Sequence, residues 1–111
     1  PLTPSTEKMA DSRRLSLMKK NAILINTGRG PLIDEAAVAE ALRDGRLHAF
    51  CADVLSTEPP APDNPLLSAP RSYITPHIAW ASVEARHRLL DTAVANLQAF
   101  VSGNPINNVA R

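Results

Sequence analysis

The sequence has 111 residues, enough for one domain, and its 44% hydrophobic and 21% charged residues are the balance of an ordinary globular chain. A net charge of +1 leaves no footprint for nucleic acid or an anionic membrane surface, and no apolar run approaches the roughly 18 residues of a membrane span. Cys51 is the single cysteine, so no internal disulfide forms, consistent with a reducing compartment, and a cytoplasmic protein is expected.

The opening Pro1-Leu2-Thr3-Pro4 lacks an initiator Met and reads as loop, so the expectation is a piece of a longer chain. Residues 11–18 suit a short helix with Asp11 as N-cap and Leu15 and Met18 on one side. The run Ala22-Ile23-Leu24-Ile25, ahead of Asn26-Thr27-Gly28, has the continuous apolar character of a strand buried on both faces of a parallel sheet. Residues 34–44 predict a helix: Asp34 caps it, Val38 and Leu42 are spaced i, i+4, and Gly45 stands where a helix-ending glycine belongs. Leu47 to Val54 is a second apolar strand.

Residues 55–70 hold Pro59, Pro60, Pro62, Pro65 and Pro70, which exclude regular helix across most of that stretch. Ser72 to Thr75 is a third short strand, stopped by Pro76. Residues 82–102 predict one long helix capped by Ser82, with Leu90, Val94, Leu97 and Val101 in a stripe reinforced by Leu89, Ala93 and Phe100; Gly103 and Pro105 end it. Strand, helix, strand with short connections implies a parallel pair with a right-handed crossover. The expected fold is α/β, the second half of a doubly wound parallel sheet with a long C-terminal helix. Three short strands standing alone leave a face or edge bare.

In open parallel sheets ligands bind beyond the carboxyl ends of the strands. There stand Thr27, Gly28, Arg29 and Gly30 after the first strand, Asp53 and then Glu58 after the second, and His77 after the third. Arg29, between two glycines that permit a sharp turn or a close approach to a ligand, can grip a carboxylate with paired hydrogen bonds. A surface-loop arginine is an equal reading from position alone. His77 carries the side chain best suited to proton exchange near neutral pH, although a lone histidine is more often structural. Most loop glutamates are solvated, but beside His77 Glu58 would favour the protonated imidazole. Asp53, ending an apolar strand, either caps structure or reaches the crevice. Trp80 suits packing better than pocket lining. His48 and His87 lie away from this rim and read as structural. No Cys/His spacing suggests a metal, and Ser5, Ser56 and Ser82 lack the strand–turn–helix setting of a nucleophile elbow.

Four segments together resemble one family. Pro1 to Thr6 is similar to a PLTPxT loop, Leu24 to Asp34 (LINTGRGPLID) to LINTARGxLVDE, Ala52 to Pro59 (ADVLSTEP) to DVxxxEP, and Thr75 to Ser82 (TPHIAWAS) to TPHxAxxT/S. Order and spacing agree, and the chain resembles the carboxy-terminal part of the D-isomer-specific 2-hydroxyacid dehydrogenases, with HIAWAS and EARHRLLD most similar to the glycerate dehydrogenase, or hydroxypyruvate reductase, branch. The resemblance implies a Rossmann-like NAD(P)-binding half-domain over residues 1–81. It also implies a helix and tail over 82–111 that return toward a substrate domain.

It further implies NAD or NADP as cofactor, with NAD slightly favoured, a small 2-oxo or 2-hydroxy acid as substrate, and a homodimer. Arg29 would bind the substrate carboxylate, His77 would be the proton donor in reduction, and Glu58 would hold His77 protonated. Asp53, Thr27 and Gly28 would meet the nicotinamide end, the Pro1–Thr6 loop would pass the cofactor, and Trp80 would line the substrate pocket. Gly28 replaces the commoner Ala or Ser of the motif, with little expected effect because its role is through backbone. The family's Gly-x-Gly-x-x-Gly loop does not occur among the glycines at 28, 30, 45 and 103, nor does the acidic residue that reads the ribose, so the 111 residues alone are expected to be inactive. The rival readings are a dinucleotide-sensing regulatory protein of the same fold and a structural remnant.

Overall fold

The structure, a computed structural model, describes residues 1–109. The chain divides into two compact units, Pro1–His77 and the segment from Ile78 onward. In chain order the elements are helix α1 (Ser12–Ser16), strand β1 (Ile23–Asn26), a 3₁₀ turn (Gly30–Leu32), helix α2 (Glu35–Arg43), strands β2 (Ala49–Ala52) and β3 (Ser72–Ile74), and helix α3 (Val83–Val101).

Each helix starts where its cap residue stands. The Asp11 carboxylate accepts from the Arg14 amide at 2.7 Å and from its guanidinium at 2.7 Å; the amide bond is the main cause that holds this carboxyl below its ordinary range. Asp34 accepts from the Ala37 amide and Ser82 from the Ala85 amide, each at 3.1 Å. Leu15 is buried, and Met18 packs against the same core from just beyond the helix end. In α2 the i, i+4 pair Val38 and Leu42 is fully buried. Past that helix Gly45 has φ +69°, the left-handed conformation a glycine adopts without penalty.

The three strands form one parallel sheet in the order β1-β2-β3, with Leu24 opposite Phe50, Asn26 opposite Ala52, and Ala52 opposite Ile74. The α2 crossover joins β1 to β2, so the expected parallel pair is present, and β2 is shorter than the Leu47–Val54 run. Paired residues in a parallel sheet share a face, and Phe50, Ala52 and Asn26 face the helix side, where they are buried with α1 and α2 residues. The other face carries Ile23, Ile25 and Tyr73, exposed at 54%, 66% and 61%. This is the bare face expected of three short strands standing alone: alternate residues of β1 cover the core on one side and are exposed on the other.

Arg71 closes the far end of the sheet. At φ +55° it turns the chain into β3, and its guanidinium donates to the His48 carbonyl at 2.5 Å and the Leu42 carbonyl at 3.0 Å, tying the end of α2 to the start of β2. In the second unit α3 runs nineteen residues, and none of them is buried.

Candidate functional site

The carboxyl ends of the three strands bring the candidate residues to one rim. After β1, Asn26 is buried and its side chain organises the loop. The amide nitrogen donates to the Arg29 carbonyl at 2.9 Å, and the amide oxygen accepts from the Gly28 N–H at 3.1 Å. Arg29 is exposed, and its guanidinium bends back to the Gly28 carbonyl at 2.9 Å. Sequence reasoning passed over Asn26. Its signal was an amide ending an apolar strand directly before a glycine-containing loop, a position where a short polar side chain bonds its own backbone.

The two glycines around Arg29 behave differently. A Cβ at Gly28 would meet its nearest atoms at 3.6 Å, ordinary contact, so the departure from the family's Ala or Ser costs no space. A Cβ at Gly30 would lie 1.9 Å from the Leu55 carbonyl and 2.4 Å from the Ser56 nitrogen. Gly30 thus admits close approach of this chain's own backbone, where a turn or a ligand was expected, and neither glycine has a positive φ.

After β2, Asp53 is 5% exposed. Its N–H donates to the Asn26 carbonyl at 3.0 Å, and its carboxylate accepts from the Thr75 hydroxyl at 2.5 Å. Thr27, Asp53 and Thr75 line one groove along the strand ends. Beyond β3, His77 sits at φ +55°, with its N–H donating to the Thr75 carbonyl at 3.0 Å. Left-handed backbone is uncommon for a side chain of this size, and such residues concentrate at functional sites.

The structure joins Glu58 to His77: Glu58 Oε2 lies 2.6 Å from His77 Nδ1. Glu58 Oε1 accepts from the Leu55 N–H at 3.1 Å. These two bonds, the histidine first, hold the Glu58 carboxyl below its ordinary value, against the partial opposition of desolvation and the Asp53 charge. The contact ties the imidazole to a carboxylate at the strand-end rim and so orients the ring. The pair borders a concave pocket of about 440 Å³, lined also by Asp53, Leu55, Pro59, Pro60, Ile74 and Thr75. An apolar wall with few polar groups is the usual composition of a small-molecule site.

Of the remaining candidates, Thr6 and Trp80 have the following settings. Thr6 donates to the Pro1 carbonyl at 2.9 Å and accepts from the Thr3 N–H at 2.8 Å, so its hydroxyl shapes its own turn. Trp80 is 57% exposed and belongs to the second unit. Among the described residues no cluster of His, Cys, Asp or Glu could hold a metal ion, and no helix is long and apolar enough to cross a membrane.

Residues 1–79 match the family model described as "D-isomer specific 2-hydroxyacid dehydrogenase, NAD binding domain". Over 98% of its length the chain is 48% identical to a hydroxypyruvate reductase of Blautia hydrogenotrophica, covering 34% of that protein. It is 50% identical to a glycerate dehydrogenase of Methylorubrum extorquens, again over 98% of this chain and 35% of the relative. Among solved structures, an acyclic imino acid reductase in complex with NADPH and D-Arg superposes with a TM-score of 0.89 at 34% identity, over 99% of this chain and 35% of that one. The chain spans about a third of the length of the curated relatives it matches. The parallel sheet and its helices have the Rossmann-like architecture of these proteins.

Proposed function

Because the chain belongs to the D-isomer specific 2-hydroxyacid dehydrogenases, we propose that it supplies the proton-transfer pair and half of the cofactor crevice of an NAD(P)-dependent oxidoreductase. That enzyme interconverts a D-2-hydroxyacid and its 2-oxo acid, with hydroxypyruvate, D-glycerate and glyoxylate as the favoured substrate class. The observation that carries this reading is the 2.6 Å contact between Glu58 and His77 at the strand-end rim. The names of the hydroxypyruvate reductase and glycerate dehydrogenase relatives support the substrate class.

The donor set fits a nicotinamide. A buried carboxylate at a strand end, Asp53, is an acceptor for a carboxamide, and Thr27 lines the same groove, with Gly28 next to it in the chain. When bound, the dinucleotide supplies or accepts the hydride. The family description names NAD, which we place slightly ahead of NADP, and the imino acid reductase binds NADPH.

In reduction, Arg29 turns from the Gly28 carbonyl to grip the substrate carboxylate with paired hydrogen bonds. Negative charge grows on the substrate carbonyl oxygen as the hydride arrives, and a cationic imidazole beside it lowers the barrier most. His77 stabilises that charge and gives its proton to the oxygen, while Glu58, on the opposite ring nitrogen, fixes the tautomer and orientation. In oxidation His77 takes the proton back. Trp80 borders the substrate, and the Pro1–Thr6 loop borders the cofactor. Residues 1–81 then form the second half of the NAD(P)-binding domain, and 82–111 lead toward the substrate domain of a cytoplasmic homodimer.

The test is oxidation of NADH and NADPH by the full-length enzyme with hydroxypyruvate, glyoxylate and a larger 2-oxo acid, beside Arg29→Ala and His77→Ala. Turnover that collapses in both variants is expected. Dinucleotide binding with no turnover on any of the three acids would replace this reading with a sensing role.

A further inference from the structure

The loop that carries Glu58 has few bonds of its own. Pro59, Pro60, Pro62 and Pro65 lack an N–H, and the backbone bonds inside it are Asn64 N–H to Ala61 and Leu67 N–H to Asn64. Side chains therefore hold it, and the largest share falls to Glu35. This residue opens α2, directly after its cap Asp34, where the helix N-terminus favours a negative charge. Glu35 Oε1 accepts from the Ser56 N–H at 2.8 Å. Its Oε2 accepts from the Ser56 hydroxyl at 2.8 Å and from the Asn64 side-chain amide at 2.9 Å. From the other side Gly30 lets the Leu55–Ser56 peptide approach so closely that a Cβ would overlap it. The same peptide region bears the Leu55 N–H, which binds Glu58 Oε1, and Glu58 Oε2 binds His77.

We propose that Glu35 is a positioning residue for the proton-transfer pair: by fixing Ser56 and Asn64 it sets the Leu55 amide that aims Glu58 at His77. This rests on the reading of Glu58 and His77 given above. Glu35 bonds neither of them, and its action passes through the loop that Ser56 and Asn64 anchor. Asn64 is part of the device, since its side-chain oxygen also accepts from the Leu66 N–H at 3.0 Å and so fixes the loop's return.

The direction of one titration separates positioning from simple electrostatics. Removing the Glu35 charge by itself lowers the pKa of any nearby carboxyl, because like-charge repulsion falls. Loosening the Leu55–Glu58–His77 chain does the reverse: Glu58 loses the two bonds that depress it, and its titration moves up toward the ordinary carboxylate range, with His77 and Asp53 still the charged groups facing it. The experiment follows the Glu58 side-chain carboxyl by carbon NMR against pH in the full-length enzyme, together with kcat and the cofactor KM. In Glu35→Ala an upward shift is expected, with kcat down about tenfold and the cofactor KM nearly unchanged, the pattern of a misplaced catalytic group.

The double variant Glu35→Gln/Asn64→Asp rebuilds the contact with donor and acceptor exchanged. It is expected to recover both the depressed Glu58 titration and most of kcat. If Glu35→Ala does not fold, the double variant and Glu35→Gln, which keeps an acceptor for the Ser56 amide, carry the same comparison. An unmoved or lowered Glu58 titration in the single variants, or a double variant that folds without recovering it, overturns the proposal. If the unsubstituted enzyme turns over none of the acids, the function assigned above fails, and the titration alone still decides the role of Glu35.

Discussion

His77 Nδ1 and Glu58 Oε2 lie 2.6 Å apart although they are nineteen positions apart in the chain. The contact exists because β2 and β3 are adjacent and parallel, so the segments that follow them leave the sheet on the same side. A carboxylate on Nδ1 fixes the orientation of the imidazole ring at the rim.

Glu58 therefore sets an acid limit on the site. Its folded-state value is lowered, so the stabilisation it gives is fully present above the ordinary glutamate range and is lost as pH falls through the depressed value. Glu58→Gln keeps the shape and removes the charge. Its reduction rate is expected to fall by tenfold or more, on the order of what a general acid's partner contributes. The acid-side loss of the Glu58–His77 contact, followed through the His77 ring resonances, should also disappear. A variant with unchanged rate and unchanged acid behaviour would show that Glu58 is only a surface partner.

The glycines beside Arg29 make opposite predictions. Gly28→Ala meets atoms no closer than 3.6 Å and should change thermal stability and activity little. Gly30→Ala drives a methyl into the Leu55–Ser56 backbone at 1.9 Å, where no flexible side chain can yield. The loop must move, and a loss of about 1–3 kcal/mol or more is expected, the range for overpacking a tight site. Denaturant unfolding of the two variants side by side measures the contrast, and equal midpoints would refute it.

Much of this was legible in the sequence, for physical reasons that differ by element. The caps Asp11, Asp34 and Ser82 are local signals, each bonding an amide three residues on, and all three act as read. Val38 and Leu42 follow from helical spacing. That three short strands leave a face or edge bare was legible from their number; that Ile23, Ile25 and Tyr73 carry it required the register of the sheet. Asn26 was passed over although its signal is local, whereas Gly30 was misread and Glu35 passed over because their partners are conformational. Asn26 bonds its own loop, and Gly30 and Glu35 meet a peptide more than twenty residues away. Proton-transfer candidates were visible as residue types at strand ends, whereas the residues that hold them required the fold.

Thr75 gives the last prediction. Its hydroxyl donates to the carboxylate of Asp53, whose N–H donates to the Asn26 carbonyl, so one short series of bonds ties the ends of all three strands together. Thr75→Val keeps the branched shape and removes that donor. Asp53, at 5% exposure, cannot recover the lost bond from bulk water without moving. The carboxylate should then turn or draw in solvent, and its aim into the groove it shares with Thr27 is lost. If Asp53 receives the nicotinamide end of the cofactor, Thr75→Val raises the dissociation constant for NAD(P)H several-fold and leaves the Glu58–His77 contact intact. Calorimetric titration of the dinucleotide into the full-length variant checks this. Unchanged binding with intact stability would move the carboxamide contact away from Asp53 and leave it a structural tie between β2 and β3.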